Sequence, residues 1–318
     1  MIIIRAIDAW FVAAMLGLAC ILCFFAHKHW IAELVIHFRL HLAVISLLFL
    51  VAFLLKGLMW QSAAILLLAC FFIWPVFSIY SSPAVSVGEK KDTLRILQFN
   101  ISYGNEHFLT RAIPWIIKQD ADIVVLQEIN AARAADLEAL ERRYPWSKIE
   151  VNIDRSAFGT AIFSRLAVDK YDYIDTGERW NHYAFLELRT NSGLPLSLYT
   201  IHPPPPVTPS FAKQRINELE LMGRVIEQDP VIHKVLVGDF NSTVFSPHFA
   251  ALTTNTGLYH AQQGYRFDGT WPTFLPAPLR IGIDHLLASK SIRIEARDVG
   301  PDLGSDHAPV VSQLELIN

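Results

Sequence analysis

Residues 234–247 read KVLVGDFNSTVFSP, in which the apolar run Val235-Leu236-Val237 turns at Gly238 and presents Asp239, Phe240 and Asn241. A strand of this kind delivers an acid and an amide to whatever lies at its tip. The pattern recurs: Asn100 follows Leu94–Phe99, Glu128 comes just after Ile123–Leu126, and His202 follows Leu196–Ile201. One polar residue at a strand end is ordinarily a turn former. Asn100, Glu128, His202, Asp239 and Asn241 at corresponding points exceed what turns require. Two more clusters complete the set, Gly282-Ile283-Asp284-His285 and Gly304-Ser305-Asp306-His307. The oxygens of Glu128, Asp239, Asp284, Asp306, Asn100 and Asn241 are hard donors, which suit Mg²⁺ or Mn²⁺ better than zinc. Crowded acids repel one another, and a divalent cation is the simplest way to hold them. His202 and His307 can donate to phosphate or exchange protons near neutrality. Cation, imidazole and asparagine together are equipment for hydrolysing phosphate esters.

Competing chemistries lack their residues. The chain has no G-x-S-x-G elbow, no G-x-x-x-x-G-K-[ST] loop and no H-E-x-x-H. All three cysteines, Cys20, Cys23 and Cys70, fall in N-terminal apolar stretches, so residues 89–318 can use neither a thiol nor a disulfide scaffold. That part holds 23 basic and 28 acidic residues, a formal charge of about −5 against −3 for the whole chain. It lacks the broad basic footprint of a non-specific duplex binder.

The elements that must position these residues alternate strands and helices. Strands are expected over 94–99, 123–126, 160–164, 183–189, 196–201, 235–237, 281–288 and 310–316. Helical spacing covers 109–118, where Pro114 must sit in the first turn or kink the helix, then 131–143 and 211–227. The last helix turns Ile216, Leu219, Met222 and Ile226 to one face. Pro203–Pro206 mark a rigid loop. Mixed strands with helical crossovers imply an α/β layer architecture, in which strand ends are where loops build sites.

The first eighty residues follow other rules. Apolar windows at 7–26, 34–55 and 58–80 each approach or exceed the ~20 residues that a spanning helix needs. Three transmembrane helices are therefore expected over 1–80, with 81–93 a polar linker and 94–318 a second domain. The middle window reaches full length only by including His37 and Arg39, whose guanidinium could snorkel to the headgroups. Trp10, Trp30, Trp60, Trp74 and Tyr80 lie near window ends, as an interfacial belt requires. Lys28, Arg39, Lys90 and Lys91 fall on the side of the second domain, which favours a cytoplasmic domain. Arg5 and the turn at Lys56-Gly57 favour the opposite, and the orientation stays open.

The ordered set LQFN, LQE, GTAIFSR, YTIHPPPP, VGDFNS, IDHLLAS and GSDHAPV resembles the endonuclease/exonuclease/phosphatase superfamily, the fold of pancreatic deoxyribonuclease, across residues 93–318. The resemblance, to a membrane-anchored member of bacterial inner-membrane type, implies a four-layer α/β sandwich of two mixed sheets flanked by helices. It implies that Glu128, with Asn100 and Asp306, holds Mg²⁺ or Mn²⁺. Asp239 would orient or deprotonate a water, Asn241 would bond the phosphate, and His202 would contact a phosphate oxygen or assist the leaving group. Asp284 would pair with His307 and keep it protonated. Arg165, after a strand, could reach phosphate or be a solvated charge, and Trp271 could border the site or plug a gap. The expected activity is metal-dependent phosphodiester hydrolysis. An anchored chain favours a lipid head group or other envelope diester as substrate; DNA or RNA is the alternative, and a silent membrane scaffold the competing reading.

Overall fold

A computed structural model of the chain describes residues 6–80, 88–151, 159–178, 181–262 and 268–317. Four N-terminal helices come first: α1 (Ala6–Phe24), α2 (Trp30–Ile36), α3 (Arg39–Leu55) and α4 (Met59–Tyr80). α1 and α4 are long and apolar enough to cross a membrane, whereas α2 and α3 qualify only as a pair bent by 60°. The small residues Ala9, Ala13, Ala43 and Ala69 are buried between helices, letting backbones approach closely.

The expected helix over 34–55 is thus broken at His37 and Phe38, and α2 turns aside to dock Glu33 and His37 on the second domain. Arg39 does not snorkel. It is buried, with Nη2 donating to the Phe71 carbonyl at 2.6 Å and Nε to that of Phe72 at 3.2 Å. The cause lies in α4. Pro75 has no N–H to return to the carbonyl four residues before it, which is Phe71, and the guanidinium supplies the missing donor.

The second domain begins with β1 (Lys90–Asn100), four residues inside the expected linker, because Lys90 already pairs with Ile317. Of the rest of the expected linker, 81–87 lies outside the described residues. A π-helical turn (Phe108–Ala112) runs into α5 (Ile113–Gln119), with Pro114 in its first turn. Then come β2 (Ile123–Gln127), α6 (Ala131–Ala135), α7 (Glu138–Glu141), β3 (Trp146–Glu150), β4 (Thr160–Ser164), β5 (Ala167–Asp175), β6 (His182–Arg189) and β7 (Pro195–Ile201). α8 (Pro209–Gln228), β8 (His233–Asp239), α9 (Pro247–Thr256), β9 (Tyr259–His260), β10 (Asp284–Ala288), β11 (Ile292–Val299) and β12 (Val310–Ile317) complete it. The helix expected over 131–143 is two short pieces, with Leu137 turned into the core between them.

Among the described residues the strands form two six-stranded sheets, β11-β12-β1-β2-β4-β3 and β5-β6-β7-β8-β10-β9. One apolar cluster joins them face to face, with Leu94, Ile96, Ile123 and Val125 meeting Leu186, Leu198, Val235 and Val237. A second packs α5–α7 on the outer face of the first sheet, and a third packs α8 and α9 on that of the second. This is the expected four-layer α/β sandwich. β1 and β2 run parallel, as do β7 and β8, so Asn100, Gln127, Ile201 and Asp239 finish at one edge. Gly238 allows the convergence: a Cβ there would lie 1.9 Å from the Ile201 carbonyl oxygen.

Candidate active site

Asp239 is the centre of the edge where the sheets meet. Its carboxylate is 1% exposed, and Oδ2 accepts from Asn100 Nδ2 at 3.1 Å. His202 Nε2 and His307 Nε2 each approach the same oxygen to 3.6 Å. Oδ1 accepts from the Asn241 backbone N–H at 2.8 Å. Asn100 Nδ2 also donates to Glu128 Oε1 at 2.9 Å, and the Tyr103 N–H donates to Glu128 Oε2 at 3.2 Å. Glu128 and Asn241 hold φ values of 62° and 46°, a left-handed conformation that non-glycine residues adopt at a cost of about 1–2 kcal/mol. Here the bonds at their side chains and backbones fix it.

Asp284, at the start of β10, holds His307 Nδ1 through Oδ2 at 2.9 Å. Its other oxygen accepts from Gln98 Nε2 at 2.9 Å. Asp239, Asp284 and His307 bring ligand-type atoms within 4.8 Å of one another. Within this trio Asp284 and His307 share a hydrogen bond, and His307 faces Asp239 by charge at 3.6 Å. The Glu128 carboxylate, which accepts from Asn100 Nδ2 and the Tyr103 N–H, lies beside them.

Burial pushes the Asp239 carboxyl up; Asp284 adds to that against the opposing charge of His307, leaving it at about 7. Burial alone would push His307 down, but Asp284 and then Asp239 outweigh it and hold the imidazole up at about 10. Asp284 is held low, its burial overcome by His307. His202 is driven down to about 3 by burial and then by the His307 charge. Near neutrality His307 is therefore a cation and His202 a neutral ring. Burial also raises Glu128. Two desolvated carboxyls sharing one asparagine donor fit a hard divalent cation, which would restore their charged forms.

Asp306 is exposed, its Oδ2 accepts from Trp271 Nε1 at 3.1 Å, and its charge acts on Glu128 and His307. Asn241 turns its side-chain amide to the Pro203 carbonyl at 3.0 Å. Arg165 is the correction. It follows Ser164, which pairs with Ile123 at the far end of β2, and its guanidinium pairs with Asp120 and covers the Tyr144 ring. A strand end built the site only where it was the right end.

Sequence reasoning passed over Gln98 and Gln127. Gln98 Nε2 donates to Gln127 Oε1, which also accepts from the Asp239 N–H, both at 2.9 Å. Gln127 Nε2 reaches the Ile201 carbonyl at 2.6 Å, tying the two sheets beneath the site. The signal was two glutamines inside buried strands, LQF and LQE. Ser305 and Thr270 were also missed; Ser305 Oγ donates to the Asn100 carbonyl at 2.7 Å, and Thr270 Oγ1 accepts from the Asp284 N–H at 3.3 Å.

Residues 97–307 match the Endonuclease/Exonuclease/phosphatase family, and the chain belongs to it. Its members are hydrolases acting on phosphoesters. No curated protein matches the chain. Among solved structures, an endonuclease/exonuclease/phosphatase from Bacteroides vulgatus superposes with a TM-score of 0.60 at 21% identity, covering 71% of this chain and 100% of its own. A humanized D. rerio TDP2 gives 0.57 at 18%, with 70% and 98% covered. The mannosyl-6-phosphatase Bt3783 of Bacteroides thetaiotaomicron gives 0.56 at 17%, with 70% and 99% covered. At these identities the likeness is one of fold.

Proposed function

We propose that this protein is a membrane-anchored, divalent-cation-dependent phosphodiesterase acting on a lipid head group or a similar diester at the bilayer surface. The observation that carries the reading is the Asp239 carboxylate set between His202, His307 and Asn100, beside Glu128. Glu128, Asn100 and Asp306 would hold the Mg²⁺ or Mn²⁺, which offsets charge on the phosphate as the diester is cleaved. Asp239 takes the proton of the attacking water, a task suited to a carboxyl titrating near neutrality. His307, kept cationic by Asp284, donates through Nε2 to a phosphate oxygen. His202, neutral, orients the phosphate, and Asn241 borders it. Attack opposite the leaving oxygen expels the alkoxide, which takes a proton from solvent water to leave as an alcohol, and releases a phosphate monoester.

The lipid assignment draws on the candidate spans and on the loop after Trp271. That loop reads FLPAPL over 274–279, carries no charge, and leaves Phe274 and Leu279 exposed. The test is the full chain in detergent–lipid micelles with Mg²⁺ or Mn²⁺, assayed on phospholipids, model diesters, DNA and RNA. Phospholipid cleavage that EDTA and His202→Ala both abolish is expected. Cleavage of nucleic acid alone would replace the lipid substrate, and no diester cleaved at all would overturn the reading.

A further inference from the structure

Glu33 is the acid of α2, inside the apolar N-terminal third, yet its side chain is 1% exposed and faces the catalytic domain. Arg215, fully buried on α8, meets Glu33 Oε2 with Nη2 at 2.5 Å. The same guanidinium donates through Nη1 to the Asn241 backbone carbonyl at 2.5 Å. Ser246 Oγ donates to Glu33 Oε1 at 2.6 Å. At the end of α2, His37 Nδ1 lies 3.0 Å from Thr243 Oγ1 and accepts the Thr243 N–H at 3.3 Å. Phe245 packs on both the membrane-region core and the catalytic-domain core.

Apart from the Glu33–Arg215 pair itself, these bonds fall on residues 241–246, the loop that leaves Asp239. Asn241 holds its left-handed backbone there, and its N–H is what Asp239 Oδ1 accepts. A shift of that loop is therefore a shift of the Asp239 carboxylate. α8 also reaches the other side of the site. One turn beyond Arg215, Glu218 accepts from Asn181 Nδ2 at 3.0 Å, and Asn181 Nδ2 donates to the His202 carbonyl at 3.2 Å. A buried ion pair contributes little net stability over a well-packed apolar pair, so stability alone does not account for this one.

We propose that Glu33 and His37 are positioning residues. The membrane-region helix α2, acting through Arg215, clamps loop 241–246 and so sets Asp239, which makes the anchor part of the catalytic apparatus. The inference rests on the phosphodiesterase reading for its kinetic half only. A misplacement of about 1 Å at a reacting group costs on the order of 10²-fold in rate.

The test uses the full chain in detergent–lipid micelles, with two readouts: kcat and KM on a cleaved diester, and backbone hydrogen exchange of 240–246. Glu33→Gln and His37→Ala are expected to lower kcat by about 10- to 100-fold with KM within about twofold, and to speed exchange in 240–246 but not in α1 or α4. The double variant Glu33→Leu/Arg215→Met replaces the ion pair by an apolar one. It should recover thermal stability but not kcat, because the bond to the Asn241 carbonyl stays lost. Full recovery of kcat in the double variant, or single variants with wild-type kcat, would overturn the proposal. If wild type cleaves no diester, the functional reading fails separately and exchange decides: faster exchange in 240–246 supports the clamp, and unchanged exchange sinks it.

Discussion

In the N-terminal helices Leu55, Trp60 and Trp74 are 82%, 81% and 77% exposed, whereas in the C-terminal domain Asn100 and Asp284 are both fully buried. The two regions invert the usual relation between polarity and burial for opposite reasons. Apolar side chains can face outward where lipid is the solvent, as the proposed anchor has it. Polar side chains can be enclosed where they find partners, and the proposed cation would offset their charge. Each inversion depends on a compensating group, Arg39 for the carbonyl freed by Pro75 and the Asn100–Glu128–Asp239–His307 network for the site. α2 belongs to both, since it leaves the helical bundle to put an acid into the polar interior.

Removing the compensating groups sharpens that comparison. The largest effect is expected for Asp239→Asn, which takes away the base without changing shape; kcat on the best diester should fall about 10³-fold or more. Next is Asp284→Asn, which frees His307 of its strongest partner. In wild type the rate should rise as Asp239 ionises, at or below its metal-free value of about 7 because a bound cation lowers it. The rate should fall again as His307 loses its proton near 10. In the variant kcat should drop about 10²-fold and the alkaline limb should move toward the ordinary histidine range. A pH–rate series checks both limbs, and an unmoved alkaline limb would remove His307 from its role. Glu128→Gln should raise the Mg²⁺ concentration for half-maximal activity about 10- to 100-fold, read by cation titration.

The smallest effect tests the other region. Arg39→Leu should destabilise the helical bundle by about 1–3 kcal/mol, because the Phe71 carbonyl beside Pro75 loses its donor. Adding Pro75→Ala restores the intrahelical N–H and should return most of that loss in a detergent-unfolding titration. Equal losses in the single and double variants would break the parallel between the two regions.

Much of the site was legible because strand ends are local. Asn100, Glu128, His202 and Asp239 stand at the tips of apolar runs, and the structure brings them together with Asp284, which opens β10 inside the strand expected over 281–288. Arg165 shows the limit of that rule. A strand has two ends, and antiparallel β4 puts its C-terminal end at the start of β2, away from the site. Strands β3, β5 and β11 went unread because their half-buried or exposed edge positions carry charges that blur the two-residue period. The single helix expected over 34–55 failed for a different reason. Apolar composition cannot reveal that Glu33 and His37 have partners some 180 to 213 residues away.

Residue type and spacing by themselves determined the layered α/β class, the apolar N-terminal helices and the oxygen-and-imidazole chemistry, because each is written in short-range patterns. Only the tertiary structure decided which strand ends share an edge, that Gln98 and Gln127 bridge the sheets beneath them, and that α2 grips the loop after Asp239. Those are contacts between segments far apart in sequence. They exist because buried polar groups must find partners wherever the fold supplies them.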